Sequence, residues 1–461
     1  MVGCRALIGG AGAVAGRWSV LPLLLLAALH CAASVSGGSR RPGGARPAPA
    51  FLQGGGYTEQ RLREARATFQ RGRFQEASAI AREILRQDPD HPEATLLLGQ
   101  ILFTIAERTD WRGRPSGERI AAFRRAREAL ERAEGLGARV AAGGVHLAIG
   151  RAFLEEGRKG DALGRLNAAV EKTPRDPRAR RMRGQCLLWL GRLESAVEEL
   201  RRAVELEPRD HRGRLLYADA LTRLERPMDA IETLREHYRS IEKEPADGRH
   251  RQVLFEIYKI TLGLNDVAAA RQPIEEACRI APGVPSLRVE LGSVLYRLGE
   301  HERARVELEA ALGGEGVSPS TRATAEHYLG LIAKHAGRFE EARRHLEEAV
   351  RLAPGHASAL QNLGAVLRRL GEDEEARGVL ERFRRVVPLA REIKKLEARL
   401  RKRPDQPATL VELIGKLIDA GRSDEARLFL NDLRQLRPGH SAIPGLEKRL
   451  QAIPSPLGGR P

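Results

Sequence analysis

The sequence predicts an all-α chain, built as a solenoid of stacked helix pairs, and three observations carry that reading. One pattern occurs twice in succession, thirty-four residues apart. Tyr328-Leu329-Gly330, Gly337-Arg338-Phe339-Glu340-Glu341-Ala342, Leu346, Ala349 and Pro354 are followed by Asn362-Leu363-Gly364, Gly371-Glu372-Asp373-Glu374-Glu375-Ala376, Leu380, Phe383 and Pro388. Small residues at the eighth and twentieth places of each unit let two helices approach closely. A proline at the thirty-second place cannot continue a helical hydrogen-bond ladder, so it is expected to stop the second helix. Lastly, aromatic residues make up only 4% of the chain while Ala, Leu, Glu and Arg are plentiful, a composition suited to helices packed through small side chains.

The same markers place the remaining elements in order. Residues 1–36 read as an export signal: Arg5 and Arg17 precede the apolar run Val20–Leu29, and Ala32-Ala33-Ser34 supply small residues for cleavage. An uncleaved inner-membrane anchor is the alternative, although the apolar run is short of the roughly 20 residues that a bilayer needs. Residues 37–57 are rich in Gly, Pro, Arg and Ala and read as a flexible linker. Units then follow over 58–390, the first marked by Ala65, Ala77 and Pro89. The second contains Leu98-Gly99, and its turn is lengthened by an insertion at 107–117. Later units carry Gly150, Ala162 and Pro174, then Gly184, Ala196 and Pro208, then Ala218 and Ala230. The unit 251–284 is the weakest, keeping Ala270, Ala277 and Pro282, and Leu291-Gly292, Gly299 and Ala304 mark its successor. A very basic helix is expected over 391–406, breaking the period, with Ile393, Leu396 and Leu400 as a narrow apolar stripe. One more unit occupies 407–440, and a capping helix with Ile443, Leu446 and Leu450 begins the segment 441–461.

This period, with these residues at these places, resembles the tetratricopeptide repeat, a helix–turn–helix unit that stacks into a right-handed superhelix. The resemblance spans ten units, although none has the family's Trp at the fourth place and Arg183 replaces the usual Leu before Gly184. It implies a concave groove lined by places 2, 5, 9, 12 and 13 of each first helix, where extended peptides or helices bind. Carried onto this chain, those places give Arg151, then Arg178, Arg181 and Trp189, then Arg212, Asp219 and Arg223. Tyr296, Arg297, Lys334, His335, Arg368 and Arg369 continue the groove. Guanidinium groups with a few aromatics suit acidic segments or terminal carboxylates. The Lys and Asn pair with which some chaperone-binding members hold a terminal carboxylate occurs in no unit, and Asn362 is the only Asn on the inner faces, so no asparagine ladder exists. Trp111, Arg112 and Arg114 in the insertion offer a competing loop contact.

The net charge of +17 invites a nucleic-acid reading, but the basic residues alternate with Glu along nearly every helix, as solvated faces do, and no specific nucleic acid is expected. Of four cysteines, Cys4 and Cys31 fall in the signal; Cys186 and Cys278 lie in separate, non-adjacent units and read as small core residues rather than a bridge. His327 and His335 share a helix face without a third ligand, so no metal site is expected. No nucleophile elbow, zinc-protease motif or phosphate loop occurs, and neither catalysis nor a cofactor is expected. The resulting expectation is a non-catalytic scaffold that binds other proteins through its groove, exported to the periplasm or beyond and serving envelope or secretion-related assembly. The membrane would be met only through the signal segment, and the sequence is silent on oligomeric state. An accessory subunit of an enzyme system, or a binder of an acidic polymer, is the alternative.

Overall fold

The structure is a computed structural model that describes residues 55–111, 116–139, 143–402, 406–437 and 439–452. The signal, most of the linker, Arg112, Arg114 and Pro438 lie outside them. Among the described residues there are twenty-one helices and no strand. They pair in chain order: α1 (Gly55–Gln70) with α2 (Phe74–Gln87), α3 (Pro92–Arg108) with α4 (Ser116–Gly135), and α5 (Gly144–Glu155) with α6 (Lys159–Lys172). Next come α7 (Pro177–Trp189) with α8 (Leu193–Leu206), α9 (His211–Arg223) with α10 (Pro227–Ile241), and α11 (Gly248–Gly263) with α12 (Val267–Ile280). The series continues with α13 (Pro285–Arg297) and α14 (His301–Leu312), α15 (Pro319–His335) and α16 (Phe339–Leu352), and α17 (Ala357–Leu370) and α18 (Asp373–Lys402). It closes with α19 (Pro407–Asp419), α20 (Ser423–Leu436) and the single α21 (Ile443–Gln451).

The eighth-place glycine works mainly against a residue that the marker pattern does not include. A Cβ on Gly150, Gly184, Gly292 or Gly330 would come within 2.8 Å of a Leu side chain at the twenty-fourth place: Leu166, Leu200, Leu308 or Leu346. The twentieth-place residue contributes its carbonyl oxygen, 3.3–3.5 Å from the same point at Gly150, Gly184, Gly292 and Gly330. Each of these leucines is fully buried. The turn inside a pair needs one left-handed residue, met by Gly at the fifteenth place in most units. Glu225 and Asn265 hold the same conformation with φ of 61°, so the turn geometry persists where the glycine does not. In the weakest unit the eighth place is Tyr258, only 1% exposed, whose hydroxyl donates to Glu290 of α13 at 2.6 Å. Arg183 has its explanation in Glu199, a buried carboxylate that it shares with Arg180.

One expectation about boundaries is overturned. Pro388 does not stop its helix, and there is no separate basic helix over 391–406: α18 runs unbroken for 30 residues with Pro388 inside it. After Pro89, Pro174, Pro208, Pro282 and Pro354 the stack keeps its period, the second helix ending two residues before the proline, and in three of these units the residue two beyond it caps the next helix. His91 accepts from the Ala94 amide, Asp176 from the Arg178 amide and His356 from the Ala359 amide. Pro388 is followed by Leu389-Ala390-Arg391, which offers no such cap and continues with strong helix formers. A proline removes only its own backbone donor and strains one turn, a loss that the packing of Ile393, Leu396 and Leu400 against α19–α21 offsets. These residues form a core of their own, distinct from the one that α15–α17 share with the first half of α18.

Candidate protein-binding groove

The first helices α5, α7 and α9 bring Arg151, Arg181 and Arg212 together, and the acids around them decide what each can do. Arg151 pairs with Glu155 at 2.7 Å, and Glu155 also accepts from Arg119 of α4 at 2.7 Å. Arg181 reaches across to the next unit, where both oxygens of Asp210 accept from its Nη1 at 2.8 and 2.7 Å. Arg212 is exposed and has no carboxylate partner among the described residues. Its side chain meets water, yet protein packs around it. That enclosure and the neighbouring charges of Arg151 and Arg181 hold its affinity for a proton below that of a free guanidinium. Four guanidiniums thus face two carboxylates. The Nε atoms of Arg119 and Arg151 are buried without a hydrogen-bond acceptor among the described residues. The patch holds uncompensated positive charge where a ligand could reach it.

The other residues read from the sequence are placed less favourably for binding. Arg223 is tied to Asp219 at 2.9 Å with its side chain 8% exposed, and Arg178 stands in solvent beside Asp176. Trp189 ends α7 half-buried against the core that contains Phe153, Met182 and Cys186, so it is a wall more than a projecting anchor. Lys334 donates to Asn362 of the following unit at 2.8 Å, and Arg297 donates to Asn265 at 2.8 Å. Arg368 is exposed at the end of α17. Trp111 turns back and donates its indole N–H to the Ala106 carbonyl at 2.9 Å, while Arg112 and Arg114 lie outside the described residues.

Along α11–α15 the groove changes character. Glu290 faces no cation, and burial pushes its carboxyl above the usual carboxylate range, with the Tyr258 hydroxyl donating to it. Tyr296 and Tyr328 meet edge to face beside it, ring centres 5.6 Å apart. Glu155, Asp210 and Glu290 are the functional groups that place-by-place reading passed over. Glu155 sits at a groove place and was legible, whereas Asp210 ends its unit and Glu290 sits at a sixth place outside the groove set.

Cys186 and Cys278 are free and buried, their thiols pushed up to about 12 by burial. His327 lies within α15 against His356, ring centres 4.6 Å apart, and His335 lies against His301 at 4.4 Å, so the two share no site. No cluster of metal-binding side chains, and no helix long and apolar enough to cross a membrane, occurs among the described residues.

Two sequence models of the tetratricopeptide repeat match the chain, one over residues 321–387 and the other over 62–134, 147–206 and 190–245, together more than half of its length. The chain belongs to the tetratricopeptide repeat family. As a tetratricopeptide-repeat protein it is a protein-interaction scaffold whose partners are other proteins or peptides. No curated protein matches it. Among solved structures it is similar to PilF of Pseudomonas aeruginosa, at 21% identity and a TM-score of 0.38, over 47% of this chain and 94% of that one. It is also similar to a tetratricopeptide repeat protein from Parabacteroides merdae, at 16% identity and a TM-score of 0.38, over 59% of this chain and 98% of the other. YrrB, described as a tetratricopeptide protein with an unusual peptide-binding site, matches at 17% identity and a TM-score of 0.35, over 42% of this chain and 95% of that one.

Proposed function

We propose that this scaffold takes acidic, extended segments of partner proteins into the groove between α5 and α9, with Arg212 as the receiving guanidinium. The observation that carries the reading is that Arg212 is exposed and lacks a carboxylate partner, while Arg151 and Arg181 beside it are already paired with Glu155 and Asp210. A ligand carboxylate there would relieve repulsion among three guanidiniums and accept charge-assisted hydrogen bonds. The work is done outside the cytoplasm, in envelope or secretion-related assembly, a reading that rests on the order of basic, apolar and small residues in 1–36.

The test is fluorescence anisotropy of a labelled extended peptide rich in Asp and Glu, against its Asn and Gln counterpart. The acidic peptide should bind more tightly. Arg212→Ala should weaken it about fivefold, the scale of one partly exposed charged contact at roughly 1 kcal/mol, and Arg212→Glu more. Equal binding of both peptides, or loss only on deleting residues 109–116, would remove the groove from the account. N-terminal sequencing of protein from the native host should begin shortly after residues 33–36; an intact Met1 on soluble cytoplasmic protein would contradict export.

A further inference from the structure

The unbroken α18 leaves one face of the array uncovered. In α16, the twenty-fourth, twenty-seventh and twenty-eighth places are Leu346, Ala349 and Val350, all buried because α17 lies across them. The same places in α18 are Leu380, Phe383 and Arg384, of which the first two are half-buried and the third is exposed. Leu380 still fills the space beside Gly364, so its inward packing is ordinary. What is missing is the next first helix. α18 continues for fourteen residues beyond Pro388, about 20 Å at the helical rise. Its own successor α19 therefore packs on Leu389, Ile393, Leu396 and Leu400 rather than on the first half. The turn at Ala420-Gly421 marks how far the last pair reaches back: it meets the turn at Pro354-Gly355, where a Cβ on Gly355 would collide with the Ala420 carbonyl.

We infer that this face, Leu380, Phe383 and Val387 flanked by Arg384 and Arg391, is a second docking surface, and that it takes an acidic amphipathic helix of a partner protein. A helix is the shape that the face lacks, since every earlier step in the stack is covered by one. Its charge follows from Arg384. A helix lying as α17 lies on α16 would bury that guanidinium, which stands where Val350 is buried, and burying it requires a carboxylate opposite. Arg384 and Arg391, seven residues apart on one side of α18, have no ion-pair partner among the described residues, so two cations await acids along that edge. The chain's own remaining segments do not match this charge: residues 1–54 contain five Arg and no Asp or Glu, and residues 453–461 contain Arg460 and no acid. A second copy would bring another net charge of +17. The surface is separate from the Arg212 patch and does not depend on it.

The experiment uses the full chain and three labelled synthetic peptides. One is helical, with apolar residues at every third and fourth place and Glu on both flanks. Another has the same composition scrambled out of the helical period, and a third has Lys in place of Glu. Binding of the first should exceed that of the other two at least tenfold. In the Arg212→Ala background, which removes the receiving guanidinium of the groove, Phe383→Asp should weaken it at least tenfold, as should Arg384→Glu combined with Arg391→Glu. The charge-reversed pair sits at exposed positions, so it remains the deciding variant if Phe383→Asp loses helicity by circular dichroism. Indifference to scrambling, or indifference to both α18 variants in that background, would overturn the inference. So would sedimentation showing a dimer that Phe383→Asp dissolves, because a second copy would then cover the face.

Discussion

α16 and α18 are matching second helices, thirty-four residues apart in one register, yet one is covered and the other half-bare. Their first turns are nearly the same, Phe339-Glu340-Glu341-Ala342 against Asp373-Glu374-Glu375-Ala376, and both place a leucine against an eighth-place glycine. The difference lies after the proline. Pro354 is followed by Gly355 and the capping His356, so α17 starts at once and lies across α16. Pro388 is followed by helix formers, so α19 starts one helix-length too far along. In a stack where each unit touches only its neighbours, a displaced successor exposes whatever it would have covered.

The largest expected effect separates the two leucines. Leu346→Ala should cost about 3–4 kcal/mol of unfolding free energy, because the side chain is fully buried and α17 cannot collapse onto the space. Leu380→Ala should cost about 1 kcal/mol, since part of that side chain already meets water. Equal losses in chemical denaturation followed by circular dichroism would mean that α18 is covered after all.

Acid should distinguish the junctions next. His327 is buried between α15 and α17, accepted or donated to by Ser358 Oγ at 3.0 Å, with His356 beside it and Arg422 beyond. Burial first, and His356 second, lower its pKa to about 3. Because the folded value lies below the ordinary 6.5, the unfolded chain binds more protons between those values. The stability that the neutral ring contributes is complete above pH 6.5 and is lost as pH falls toward 3. The α15–α17 step should therefore loosen by about 2–3 kcal/mol over that window, while α18, with no histidine in it, should not. His327→Gln should flatten the profile; an unchanged slope would assign the acid sensitivity to another group.

A smaller and opposite effect is expected at Pro388. Pro388→Ala restores a backbone donor inside a continuous helix and should stabilise α18 by about 1 kcal/mol, a modest share of the cost of an interior proline because the surrounding turn already accommodates it. Destabilisation would show that the proline shapes the junction to α19.

The period, the pairings and the small-residue contacts were legible because close helix packing demands Gly, Ala and Leu at fixed places, whatever the partner. The run-on of α18 was legible too, in the helix formers Leu389-Ala390-Arg391 that follow Pro388, but proline alone was read as the stop. The groove was legible by place, and Arg151, Arg181 and Arg212 do converge. Which of them remains available was only half legible: the Arg151–Glu155 pair lies four residues apart on one helix, whereas Asp210 takes Arg181 across units, and ion pairs between units have no signature in a repeat alignment of places. Trp189 shows the same limit: its place in the first helix was readable, its turn toward the core was not.

Native-state hydrogen exchange along α16 and α18 of the full chain tests the account most directly. Amides of Leu346–Val350 should be strongly protected, those of Leu380–Val387 should exchange at least tenfold faster, and protection should return at Ile393–Leu400 where the last core begins. Uniform protection through α18, or a fall that begins only after Ala390, would contradict the claim that the unbroken helix leaves a repeat face uncovered.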